Sequence, residues 1–194
     1  ANSCMTPADP CEHLSVTVAK SSPSDHIHMA AGRFTATGAL FTFVPHNLTI
    51  TGEGIGITVL NGESSAGGIR VAGSAELILE NLTIRETAPR TAYGCLYVAD
   101  TATARLTNVR LRLCERQGVW VAPGASLFMT NVEVHETVDE HTGADFLLNG
   151  YGINNQGTIH MEGGSVHHNA HRGIHNQGNL NLTNVDIYEN GTAG

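Results

Sequence analysis

Lysine is nearly absent from this chain of 194 residues: Lys20 stands alone beside nine arginines. Acidic residues number 18, and the net charge is -8. No basic stretch offsets that charge, which argues against a nucleic-acid partner. Aromatic residues make up 5 %, and tryptophan occurs once, at Trp120. No apolar run approaches the ~20 residues of a membrane-spanning helix, so no transmembrane segment is expected. Neither CxxC nor HExxH spacing occurs, which removes the common zinc signatures. Hydrophobic residues at 41 % rule out a disordered chain. The length suits one good core and is short for two.

What the chain does have is glycine, 22 residues of it, and repetition. Gly152-Ile153-Asn154-Asn155-Gln156-Gly157 returns 21 residues later as Gly173-Ile174-His175-Asn176-Gln177-Gly178. A looser phrase, a turn residue followed by two apolar positions spaced by two, runs through the chain. It begins at Asn47, Asn81, Asn108, Asn131, Gly163 and Asn184. A second alternating pair precedes it: Leu77/Leu79, Ala104/Leu106, Leu127/Met129, Ile159/Met161 and Leu180/Leu182. A third precedes that: Ile69/Val71, Leu96/Val98 and Val119/Val121, then Ile153 and Ile174 followed by Asn. Each unit therefore holds three short period-two strands, and no unit carries a helical apolar stripe. Units that each need a neighbour to bury their face read as a solenoid. The fold class is all-β: a parallel β-helix of about six coils over 31–194, with a cap segment at 1–30.

The Asn/Gly positions fit sharp corners with positive φ, which Asn tolerates and Gly more so. The four sequons at Asn47, Asn81, Asn181 and Asn190 coincide with such structural positions. In the cap segment, Asp9-Pro10-Cys11-Glu12 has the composition of a helix start. A short helix to about Lys20 would cover the first coil; the β-branched run Ser15–Val18 leaves a capping strand as the alternative. The chain opens "ANSCM" and is read as a mature or excised form.

"DHIHMAAGRF", "NLTITGEGIGITVLNG" and units of the form "GIxNQGxLxLTNVxIxxN" resemble the right-handed parallel β-helix repeat proteins, secreted or displayed on bacterial cells, which share a fold with pectate lyases. The resemblance covers about residues 25 to 194. It implies an extracellular or bacterial cell-surface location. In relatives that act on polysaccharides, the outward face of the first strand forms the substrate groove. Here that column reads Arg70, Tyr97, Trp120, Asn154, His175. Tyr97 and Trp120 on neighbouring coils are a candidate open sugar platform, with Arg70, Asn154 and His175 bonding hydroxyls; the alternative is that Trp120 packs under a neighbouring loop. As an open platform, Trp120 would contribute little to stability. The column holds no Asp or Glu and the repeats hold no Lys, so it departs from the lyase pattern. A structural, adhesive or carbohydrate-binding role leads. A polysaccharide lyase or glycoside hydrolase is the alternative.

The outward column after the third strand reads Arg85, Arg112, His135, His167, Tyr188. An insertion, "HETVDEHTGADFLLNGY", brings Glu136, Asp139 and His141 towards His167 and His171. These are candidate ligands for a divalent metal; a solvated mixed-charge face is the other reading. No cofactor is required. Four cysteines are expected to pair as Cys4–Cys11 and Cys95–Cys114, the second across a single coil, in an oxidising compartment; buried free thiols are the alternative. Beyond Ile187 no helix covers the last coil, so the solenoid is expected to continue or to dock end to end on another copy, a contact that builds fibres.

Overall fold

The computed structural model describes residues 13–35, 40–87, 94–138 and 150–191. Helix α1 (Leu14–Lys20) comes first. Strands follow as β1 (Asp25–His28), β2 (Gly32–Thr35), β3 (Leu40–Val44), β4 (Leu48–Thr51), β5 (Thr58–Asn61), β6 (Gly67–Val71), β7 (Glu76–Thr87) and β8 (Leu96–Val98). The remainder are β9 (Thr103–Cys114), β10 (Gln117–Val121), β11 (Ser126–His135), β12 (Tyr151–Asn155), β13 (Thr158–His167), β14 (Ile174–Asn176), β15 (Asn179–Thr183) and β16 (Asp186–Tyr188). Every described ladder is parallel, and each strand pairs with its counterpart one coil away. First strands stack as β3-β6-β8-β10-β12-β14; second and third strands share the other sheet, through β4-β7-β9-β11-β13. The chain is a right-handed parallel β-helix with a short N-terminal helical cap.

The expected second and third strands run on as one bent strand in β7, β9, β11 and β13. The bend sits at Asn81, Asn108, Asn131 and Gly163, with φ of 56°, 52°, 52° and 66°; Asn184 has 53°. Asn108 Nδ2 donates to Asn81 Oδ1 at 3.1 Å, one rung of a ladder up the corner. Asn47 does not belong to this column. Leu48 pairs with Leu77, so Asn47 precedes the second strand, where its Oδ1 accepts from Glu76 N–H. Its phrase looks alike because two strands of one coil share the same alternation. In that coil the corner is made by Gly52-Glu53-Gly54, bonded to Glu80 and Asn81 carbonyls. Asn81→Ala is expected to lower stability by about 1–3 kcal/mol, through strain at positive φ and the lost rung. Asn81→Gly should lose only the rung. Equal melting temperatures for the two variants would contradict the corner assignment.

The core is a set of aligned stacks. Leu48, Leu77, Ala104, Leu127 and Ile159 lie over one another, as do Ile69, Leu96, Val119 and Ile153, all within 2 % exposure. In the last described coil Ile187 is 49 % exposed. At the other end Leu14 and Val18 of α1 are buried in the core, with α1 against edge strand β3. The helix starts at Leu14, after an N-cap His13 that makes no side-chain cap bond; Asp9, Pro10 and Glu12 lie outside the described residues. Strand β1 falls within residues 1–30, the stretch assigned to the cap, yet already pairs with β4. Among the described residues, α1 packs against β3, the edge strand of the first-strand sheet.

The closing repeat has a mechanical cause. Asn169 Nδ2 donates to Val134 O at 3.2 Å and to Asn190 Oδ1 at 2.8 Å, while its Oδ1 accepts from Thr137 N–H. Asn190 Nδ2 donates to Val166 O at 3.0 Å. These amides fill the room left by glycine. A Cβ on Gly152 would lie 2.7 Å from Asn169 Nδ2, and one on Gly173 2.5 Å from Asn190 Nδ2. Asn155 and Asn176 form another rung at 2.7 Å. Cys95 and Cys114 are joined, Cα to Cα 5.4 Å, tying the start of one coil to its end. Cys4 and Cys11 lie outside the described residues.

Candidate binding face

The register places Phe43, Arg70, Tyr97, Trp120, Asn154 and His175 in one column across six coils. Alternation on the flanking positions sends Ile69, Val71, Leu96, Val98, Val119 and Val121 inward, which leaves this column outward. The Arg70 guanidinium carbon sits 5.2 Å from the Phe43 ring centre and 5.7 Å from that of Tyr97. The Tyr97 and Trp120 centres are 4.7 Å apart, with the planes tilted by 32°. The four side chains form one continuous cation–π and aromatic stack.

This differs from an open platform. Tyr97 and Trp120 stack on each other and are half-buried, with Trp120 Nε1 shielded from solvent, while Phe43 is 44 % exposed. Asn154 is buried, and separates the stack from His175. His175 belongs to a second group: Arg172 Nη1 donates to His175 Nδ1 at 2.9 Å, and Tyr151 stacks on its ring at 5.2 Å. Burial first, and Arg172 second, lower the His175 pKa, which keeps the imidazole neutral and able to accept that bond. Phe43, Tyr151 and Arg172 were not picked out from sequence. Phe43 had a readable signal, one further step along the same column.

The third-strand face carries a second ladder. His135, His167 and Tyr188 stack at 4.8 and 4.7 Å. His167 Nδ1 and His168 Nδ1 share a 2.7 Å hydrogen bond, and His168 pairs with Glu189 at 2.8 Å. Towards the N-terminal end the same face turns to arginine, with Arg110 paired to Glu133 and Arg112 to Glu136. A second left-handed corner follows this strand, at Glu86, Leu113, Glu136, His168 and Glu189, with φ of 49° to 53°. None of these is Asn or Gly, so composition gives no hint of it.

A family model described as a right-handed β-helix region matches residues 46–194. The chain belongs to the right-handed β-helix family. No curated protein and no solved structure matches it. β-Helix proteins lend one scaffold to unrelated chemistries, so function must come from the faces of this chain. The first-strand column here carries no carboxylate for acid–base work. Of the candidate metal ligands, Asp139 and His141 lie outside the described residues. Among the described residues no group of three His, Cys, Asp or Glu is placed to hold a metal ion. Glu136 is held by Arg112, His167 by its stacking neighbours, and His171 lies edge-on to Tyr151 at 6.3 Å. No helix among the described residues is long and apolar enough to cross a membrane.

The histidine ladder makes the β-helix acid-sensitive. Burial holds His135 below its ordinary pKa of 6.5, and neither ring nitrogen makes a hydrogen bond. Burial and the neighbouring His168 do the same to His167. The unfolded chain thus binds more protons than the folded one just below pH 6.5, so stability is full above that value and falls as pH drops through it. Glu133 and Glu136, lowered by hydrogen bonds from Arg110 and Arg112, add a second loss below 4.5. Melting temperature followed from neutral pH to about pH 5 should decline in the wild type. His135→Phe should flatten that decline, and an unchanged slope would contradict the buried neutral histidine.

Proposed function

We propose that the protein is an extracellular β-helix module that binds a polysaccharide along its first-strand face. The observation that carries this reading is the continuous outward stack of Phe43, Arg70, Tyr97 and Trp120, three coil steps or roughly 14 Å long. The exposed Phe43 ring offers apolar contact to sugar C–H groups, and the stacked Arg70 guanidinium donates to sugar hydroxyls. The disulfide supports an oxidising compartment. A rigid solenoid keeps the contacts in line, so an extended polymer meets them without ordering cost on the protein side.

Binding to immobilised neutral and acidic extracellular polysaccharides tests this reading. Phe43→Ala and Arg70→Ala should weaken binding by roughly tenfold each, while the exposed Phe43 change shifts stability by less than about 1 kcal/mol. Neutral-polysaccharide binding that survives both changes would sink the first-strand site. Release of unsaturated products during incubation would replace a binding role with a lyase one.

A further inference from the structure

A cleft of about 440 Å³ opens on the third-strand face near the N-terminal end, and four arginines line it: Arg33, Arg85, Arg110 and Arg112. The register explains its shape. One column reads Arg33, Val59, Thr83, Arg110, and the next reads Thr35, Asn61, Arg85, Arg112. In the first column arginines stand at both ends with Val59 and Thr83 between them, and in the second Arg85 and Arg112 stand side by side, so the cleft has a guanidinium wall. Gly56 at its rim bonds Thr83 Oγ1 and carries φ of 75° with open space beside it.

We infer that this trough is a second binding site, for the carboxylates or sulfates of an extended anionic glycan. The inference does not rest on the first-strand reading. Arg85 and Arg112 are direct partners on adjacent parallel strands, and Arg110 is two residues from Arg112. Like charges stacked in this way are unfavourable, and an oxyanion held between them removes the cost. Their carboxylate partners Glu63, Glu86, Glu133 and Glu136 do not line the cleft. Arg110 and Arg112 each donate Nε to its glutamate, one of five N–H donors on a guanidinium. Arg85 Nε is shielded from solvent, makes no hydrogen bond, and has Glu86 at 3.5 Å as its ion-pair partner. The chain's charge of -8 repels polyanions at a distance, so recognition must come from this local cluster and must weaken with salt.

The test is calorimetric titration of the full chain, at low and at physiological salt, with a uronate oligosaccharide, a sulfated oligosaccharide, a neutral oligosaccharide of equal length, and inorganic sulfate. Binding of an anionic oligosaccharide, weakened by salt and not matched by the neutral one, is expected. Arg85→Gln with Arg112→Gln should reduce it roughly tenfold or more, with the melting temperature measured alongside because the Arg112–Glu136 hydrogen bond is lost as well. If that variant fails to fold, Arg33→Gln at the exposed end of the trough takes its place and should show the same loss of binding. Phe43→Ala should leave it unchanged, which separates this site from the first-strand face. No binding of either anionic oligosaccharide, equal affinity for the arginine variants, or inorganic sulfate binding as tightly as the oligosaccharides would each overturn the proposal.

Discussion

Gly152→Ala is expected to destabilise the protein by about 3 kcal/mol or more. The added Cβ would lie 2.6 Å from Gly173 O, 2.7 Å from Asn169 Nδ2 and 2.8 Å from Val166 Cγ1. One of these is backbone of the next coil, one is a buried amide with three hydrogen bonds, and one is core. None is the free end of a flexible chain. The coils must part, or the Asn169 amide must leave its acceptors. Gly73→Ala is the control. Its φ of 70° is left-handed, unlike that of Gly152, yet nothing lies within 4 Å of the added atom, so only a backbone strain of about 1 kcal/mol remains. The two variants should differ by several degrees in melting temperature. If they melt alike, the interlock of glycine and asparagine is not what sets the 21-residue repeat.

The second large effect belongs to the disulfide. Cys95 and Cys114 are both fully buried and 19 residues apart. Closing a loop of that length restricts the unfolded chain by about 3 kcal/mol. The double change Cys95→Ala with Cys114→Ala should lower stability by that amount. Reductant should lower the wild-type melting temperature and leave the double variant where it is. Indifference of the wild type to reductant would remove the bridge as a stabilising element, and with it one support for an extracellular location.

How far the sequence led can be judged at particular residues. The stacks Leu77/Leu79 and Leu82/Ile84 were legible because strand alternation is a local, period-two signal. The positive-φ corners at Asn81, Asn108, Asn131 and Gly163 were legible because few side chains accept that backbone. Asn47 was misplaced because second and third strands carry the same alternation, and only register tells them apart. The corner through Leu113 and Glu136 left no trace, since its conformation is imposed by the coils above and below.

The functional face was legible as a column but not as a shape. Arg70, Tyr97 and Trp120 follow from counting coil lengths. That the rings would shield one another depends on side-chain tilt, which no spacing encodes. Of the arginine trough, Arg85 and Arg112 were legible as neighbours in the third-strand column, while Arg33 and Arg110 were hidden. Arg33 and Arg110 are 77 positions apart in the chain, and only the stacked register brings them to the two ends of one column.

Trp120 is the one tryptophan of the chain and sits inside the proposed polysaccharide site, against Tyr97 at 4.7 Å. Its fluorescence is therefore the most direct reporter of the first-strand face. Titration with a bound polysaccharide should change its emission in a saturable way. That change should require roughly tenfold more polysaccharide in Phe43→Ala and be unaltered in Arg85→Gln with Arg112→Gln. Neutral-polysaccharide binding that leaves the Trp120 emission untouched would place the site elsewhere and contradict the account.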